Sequence, residues 1–269
     1  MQLYRCELTL WEHTYFASRE LGELYETEPV IGNYALTYAL GLARSPYACG
    51  GAPRYRQELE PLNVAGVYVT PAQLDEQRLH FTISRFNTQA EGYFSAYTNN
   101  AIVQPPSGWR AEHRKQSWVL ANPETGEERQ VRANNFPQAG RIRALNLGCT
   151  GRFFMLVDDN KPQSLALLAQ HGMSKQGKCY IRLGKHNSKA EVRWERAALR
   201  ESTEQDIEVT VTLNAADLPD EARIVPLATR YIHPAPLLER CLYTGRCWRS
   251  ERGVVLPAGM RYGVEDLSQ

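Results

Sequence analysis

Short runs of alternating apolar and polar residues, many closed by Gly, Pro or Asn, recur along the whole chain, while only two stretches carry a helical period. QLYRCELTL opens the series at 2–10. Similar runs follow at 64–70, 79–86, 117–121, 128–133, 141–149, 152–157, 179–183, 190–195, 207–213 (IEVTVTL) and 253–256. Period two marks strands, and neighbouring strands joined by short turns pair antiparallel. The NPETG stretch at 122–126 and Thr150-Gly151 read as such turns. Ile31, Tyr34, Ala35, Tyr38 and Leu42 instead recur every three or four residues, a helix ended by Gly41 and Pro46. A second helix is predicted over 164–171, with Ser164 as its cap and Gly172 as its stop. The prediction is an α+β fold built on a mostly antiparallel sheet. With 269 residues, 43% of them hydrophobic, the chain reads as one domain, 1–269, with embellishments. Residues 45–63, crowded with Pro46, Gly50, Gly51, Pro53 and Pro61, read as a loop. Residues 88–140 read as an inserted arm and hairpin, and 221–269 as a C-terminal extension.

Several function classes lose support at once. No run of about 18 apolar residues could span a bilayer, and the first ten residues lack a signal profile, so a cytoplasmic protein without a membrane is expected. Six scattered cysteines with no CxxC pair read as reduced, mostly buried thiols. There is no HExxH, GxSxG, Walker loop or GxGxxG, so no metal, cofactor or catalytic residue is assigned. Asp158 and Asp159, before Asn160-Lys161-Pro162, read as a solvated turn.

The net charge of +1 conceals strong segregation. Residues 172–200 hold eight Lys or Arg against Glu191 and Glu195, a net of +6. The next 21 residues, 201–221, hold seven acids and no base, and the first 40 carry a net of −4. A basic face suits nucleic acid; an acidic one suits a basic neighbour or only solubility. Within the basic stretch, Gly172, Gly177 and Gly184 would let backbone N–H groups approach a ligand. Around them, Ser174, Lys175, Lys178, Arg182, Lys185, His186, Asn187, Ser188 and Lys189 supply cations and hydrogen bonds. Such contacts hold a sugar–phosphate chain without reading bases. Tyr93, Phe94, Tyr97 and Trp109, ahead of Arg110, Arg114 and Lys115, either stack on bases or pack as core. His186, with Tyr180 and Lys185, is the one arrangement that could cleave RNA without a metal.

Two segments, YETEPVIGNYALTYALGL at 25–42 and YIRLGKHNSKAEV at 180–192, resemble the type I-D CRISPR-associated Csc-one family, Cas-five-type subunits of the Cascade surveillance complex. The resemblance runs through most of the chain and is weakest over 88–140 and the last 40 residues. It implies a modified ferredoxin-like (RNA-recognition, RAMP-type) fold with an inserted thumb at 88–116, carrying Tyr93, Phe94, Tyr97, Trp109, Arg110 and Arg114. It implies a non-catalytic subunit that grips the 5′ handle of the crRNA and caps the filament of Cas-seven-type backbone subunits. The Cas-ten-type large subunit would be a neighbour, and target DNA would lie close by at the protospacer-adjacent motif, in support of antiviral defence. Lys185, Asn187, Ser188 and Lys189 match the family's glycine-rich loop, though only Gly184 punctuates it here. Arg19 and Tyr25 fall at a possible handle contact. Some Cas-five relatives instead process precursor crRNA as metal-independent endoribonucleases, which is the alternative.

Overall fold

The computed structural model describes residues 1–21, 24–43, 54–87, 107–114, 117–131, 139–172, 175–232 and 235–263. The chain divides into two compact units. One comprises 1–21, 25–83 and 143–269, and the other 22–24 and 84–142.

The first unit is built on a seven-stranded sheet in which every strand pairing described is antiparallel. Its order is Gln176–Leu183, Ser188–Ala197, Gln2–Leu10, Thr150–Val157, Ala72–Leu74 and Val30–Ile31, with Val67–Val69 also paired to Thr150–Val157. The opening strand lies between Ser188–Ala197 and Thr150–Val157 because its alternation fits a sheet with one apolar face. Cys6, Leu8 and Leu10 are buried, while Glu7 between them is exposed. Phe153, Met155 and Val157 continue that apolar face on one side, and Ala190, Val192 and Trp194 on the other. Helices Asn33–Ala39 and Tyr55–Ala65 pack on Val67–Val69, and Pro162–Gln170 packs on the second of them.

A five-stranded antiparallel sheet is centred on the 14-residue strand Leu237–Ser250, paired to Leu199–Val209, Leu213–Asn214, Arg223–Arg230 and Val255–Pro257. Between its strands, Asp217 enters the core fully buried. Its carboxylate accepts from Asn33 Nδ2 (2.6 Å), Tyr34 Oη (2.6 Å), Tyr68 Oη (2.9 Å) and the Gly263 N–H (2.9 Å). Burial raises its pKa against the lowering pull of these four donors. The aspartate ties the first helix to the C-terminal sheet.

The second unit contains the hairpin Ser117–Ala121/Glu128–Val131, extended by Arg110–Arg114. Asn122 begins its turn, accepting from the Glu124 and Thr125 N–H groups.

The mostly antiparallel sheet with few helices agrees with the sequence. Several elements do not. Residues 55–63, read as loop, and 64–65, read as the start of a strand, form a helix with Pro61 inside it, held by burial of Leu59, Leu62 and Ala65. Ser164 is not the cap of its helix. Lys161 is, and the Ser164 hydroxyl donates back to the Lys161 carbonyl at 2.7 Å. The strands Arg223–Arg230 and Leu237–Ser250 replace what reads as irregular chain. The five described cysteines are unpaired thiols, and burial pushes Cys6 up and Cys241 to about 11. Cys49 lies outside the described residues. No helix among the described residues is long and apolar enough to cross a membrane, and no group of His, Cys, Asp and Glu among them could hold a metal ion.

Candidate nucleic-acid interface

The basic stretch folds as an edge hairpin, Gln176–Leu183 against Ser188–Ala197. Its two strands turn over Gly184–Asn187, where Gly184 (φ +72°) and Asn187 (φ +51°) take left-handed conformations. Gly184 is required twice, since a Cβ there would lie 2.4 Å from the Tyr15 carbonyl oxygen. That carbonyl accepts from the Lys185 N–H at 2.9 Å. The segment following the opening strand therefore straps the hairpin. The Trp11 N–H donates to the Lys189 carbonyl (2.9 Å), the Lys189 N–H to Glu12 (2.7 Å), and the Ser188 hydroxyl to the His13 carbonyl (2.6 Å).

This strap carries two aromatic rings that sequence reading left out. Trp11, half exposed, meets Tyr180 edge to face with centroids 6.3 Å apart. The Lys189 ammonium stands 4.5 Å from the Tyr180 ring and 5.8 Å from that of Trp11, within cation–π range. Buried Tyr15 packs against His186 with centroids 5.4 Å apart and the rings tilted by 43°, and the Lys185 ammonium is 6.0 Å from its ring. The Tyr180 hydroxyl is bonded to Glu191. Glu191 also accepts from Arg193, and that bond, with Tyr180, holds its carboxyl below the ordinary range against burial. The trio His186, Tyr180 and Lys185 is thus divided between two ring clusters. An aromatic beside the end of the first strand was the available signal, but Trp11 stands more than 170 residues from Lys189 in sequence and only strand register brings them together.

The other expected site residues distribute unevenly. Lys178, Tyr180 and Arg182 project from the exposed side of the edge strand, and Arg182 reaches the Asn187 carbonyl (3.2 Å) and Glu12 (3.6 Å). Lys175 is exposed, and its carbonyl accepts from the Arg196 N–H. Ser188 is buried, its hydroxyl given to the strap rather than to solvent. Gly177 serves packing: a Cβ there would lie 2.6 Å from the Trp194 ring, which covers it. Arg19 pairs with buried Glu28 at 2.7 Å, and Glu28 pairs in turn with Arg230. Tyr25 is half-buried in Leu24–Glu26. In the second unit, Trp109 lies under the Arg129 guanidinium (5.1 Å), Arg110 is exposed, and Arg114 is paired to Glu112 (2.7 Å) and Glu128 (2.9 Å). Tyr93, Phe94, Tyr97 and Ser174 lie outside the described residues.

Among solved structures, the chain is similar to the oligomeric Cmr4 from Pyrococcus furiosus, at 12% identity and a TM-score of 0.33 over 74% of this chain and 100% of that one. A second crystal structure, Pyrococcus furiosus Cmr4 (Cas7), aligns at 11% identity and a TM-score of 0.30 over 72% of this chain and 98% of that one. No curated protein sequence matches the chain. The family model of the type I-D CRISPR-associated protein Cas5/Csc1 matches residues 1–265, and the chain belongs to that family.

Proposed function

We propose that this CRISPR effector subunit holds the 5′ handle of the crRNA on the strapped hairpin, without cleaving it, and caps the backbone filament of a type I-D Cascade. The observation that carries the reading is the joint exposure of Arg182, Lys185 and His186, with half-buried Lys189, beside the half-exposed Trp11 and Tyr180 rings. Cations on a rigid turn neutralise phosphates, and flat rings take unstacked bases, which together suit a single strand. Family membership supports crRNA and a Cas-seven-type backbone subunit as partners, and a Cas-ten-type large subunit near target DNA belongs to the proposal. A modified ferredoxin-like core of RAMP type, with residues 88–140 as the thumb, belongs to the same proposal.

The test is binding of handle RNA by Lys185→Ala/Lys189→Ala. Losing two phosphate contacts weakens affinity similarly for every sequence and flattens the slope of log affinity against log salt by about 1.4. An unchanged affinity and slope would remove the hairpin from the interface. The same mixtures, with EDTA and repeat RNA, return intact RNA; defined cleavage abolished by His186→Ala would establish the endoribonuclease instead.

A further inference from the structure

Behind the hairpin, the solvent side of the seven-stranded sheet carries a line of polar residues set by strand register. Lys178 pairs with Arg193, Arg193 with Glu7, Glu7 with Arg152, and Arg152 with Gln73. All five are exposed, while Val192, Cys6 and Phe153 between them face the core. The line crosses a groove of 1060 Å³ that begins at Trp11 and is bounded across from the sheet by Thr210–Thr212 and Val254. A second groove of 720 Å³ shares Arg5, Glu7 and Arg193 with it and continues toward Lys178.

Two features distinguish this groove from an ordinary charged surface. The first is charge accounting. Of the four carboxylates bordering it, Glu7 is 3.6 Å from Arg5, Glu191 is bonded to Arg193, Asp75 accepts from the Gln77 N–H, and Glu76, like two of the four arginines opposite, makes no ion pair with any described residue. Arg78 and Arg152 make no ion pair with any described residue. The second is Thr212, which lines the groove at 1% exposure and carries the one buried side-chain polar atom without a hydrogen-bond partner among the described residues. A buried hydroxyl left unpaired costs about 1–3 kcal/mol, so its persistence points to a partner supplied from outside the chain. The strands beneath are paired on both sides, so a peptide would find no free backbone edge there.

We propose that this groove is a second RNA subsite. It seats one nucleotide of the strand held by the hairpin, with its phosphate on Arg152 and Arg78 and its base edge hydrogen-bonded to Gln73 and the Thr212 hydroxyl. The assignment rests on the RNA-holding reading for the identity of the strand, but its test does not use the hairpin. Threonine methyl NMR of the full chain, titrated with adenosine and uridine monophosphates, their deoxy counterparts, the nucleosides and inorganic phosphate, reports on Thr212 directly. The Thr212 methyl resonance is expected to move saturably with the ribonucleotides, in the wild type and equally in Lys185→Ala/Lys189→Ala. Arg152→Gln should weaken that response about tenfold. Thr212→Val, which keeps the shape and removes the unpaired hydroxyl, should weaken ribonucleotide binding about fivefold without lowering Tm, read by calorimetric titration because this variant has no Thr212 methyl.

A Thr212 signal that no nucleotide moves would overturn the subsite, as would full affinity in Arg152→Gln. So would a response reproduced entirely by inorganic phosphate, or a preference for deoxyribonucleotides. The two proposals fail separately. RNA binding lost in the lysine variants with a silent Thr212 refutes only the groove. A responsive Thr212 with RNA binding indifferent to the lysines refutes only the hairpin.

Discussion

The basic hairpin and the acidic strand that follows it are adjacent in sequence and mirror images in composition, yet the fold treats their charges in opposite ways. In Leu199–Val209, the carboxylates of Glu201, Glu204 and Glu208 face Arg246, Arg249 and Arg240 of Leu237–Ser250, at 2.5, 3.0 and 2.6 Å. Three of the seven acids in a run of net −7 that could suit a basic partner are answered within their own sheet. The edge strand Gln176–Leu183 has no second neighbour in its sheet, and Lys178, Lys185 and Lys189 form no ion pair with any described residue. Lys185 and Lys189 instead rest near aromatic faces. Segregated charge stays available to a partner where the cross-strand neighbour is not an opposite charge: Lys178 lies opposite Arg193, and Lys189 opposite Arg182.

The sharpest way to break this contrast is at Gly184. Gly184→Ala forces a side chain into left-handed backbone and against the Tyr15 carbonyl. The conformational cost is about 1–2 kcal/mol, and displacement of the Lys185–Tyr15 bond adds about 1 kcal/mol. Denaturant unfolding is expected to show a loss of about 2–3 kcal/mol together with weakened RNA binding. A variant as stable as the wild type would mean the strap does not hold the turn.

A smaller effect separates stacking from charge. In Trp11→Ala/Tyr180→Ala the cations stay and the rings go. Handle affinity should fall by about 1–3 kcal/mol per base unstacked, with the salt slope unchanged because no phosphate contact is lost. A flattened slope without a further loss at fixed salt would assign the rings to positioning Lys189 alone.

The sequence was readable where one period held throughout an element. Gln2–Leu10 alternates from Cys6 to Leu10, while its partner Thr150–Val157 is buried continuously from Phe153 to Val157 and was legible as a short apolar run bounded by turns. Leu237–Ser250 was illegible because its phase slips. Leu237 and Leu238 are both buried, Gly245 takes φ +147°, and the register with Leu199–Val209 shifts between Glu204 and Ile207. The helix Tyr55–Ala65 was hidden by Pro61, whose missing N–H is outweighed by the burial of Leu59 and Leu62. At the interface, the cations of 175–189 were legible as local composition. Trp11 and Tyr15 were not, because what brings them there is pairing between opposite ends of the chain. Nor could composition show that Ser188 and Gly177 face inward, since that follows from which face of the sheet is covered.

The weakest perturbation tests the other half of the comparison. Arg246→Ala/Arg249→Ala removes two exposed cross-strand partners and leaves Glu201 and Glu204 unanswered. Exposed pairs contribute about 0.2–1 kcal/mol each, so Tm should drop by only a few degrees, and less as salt rises. Handle RNA affinity is expected to hold, because the uncovered carboxylates lie on a different sheet from the hairpin. If affinity falls in step with the loss of these two arginines, then they contact RNA themselves. The acidic strand would then be what keeps a second basic surface neutral until RNA displaces it, and the two regions would differ in degree of pairing rather than in role.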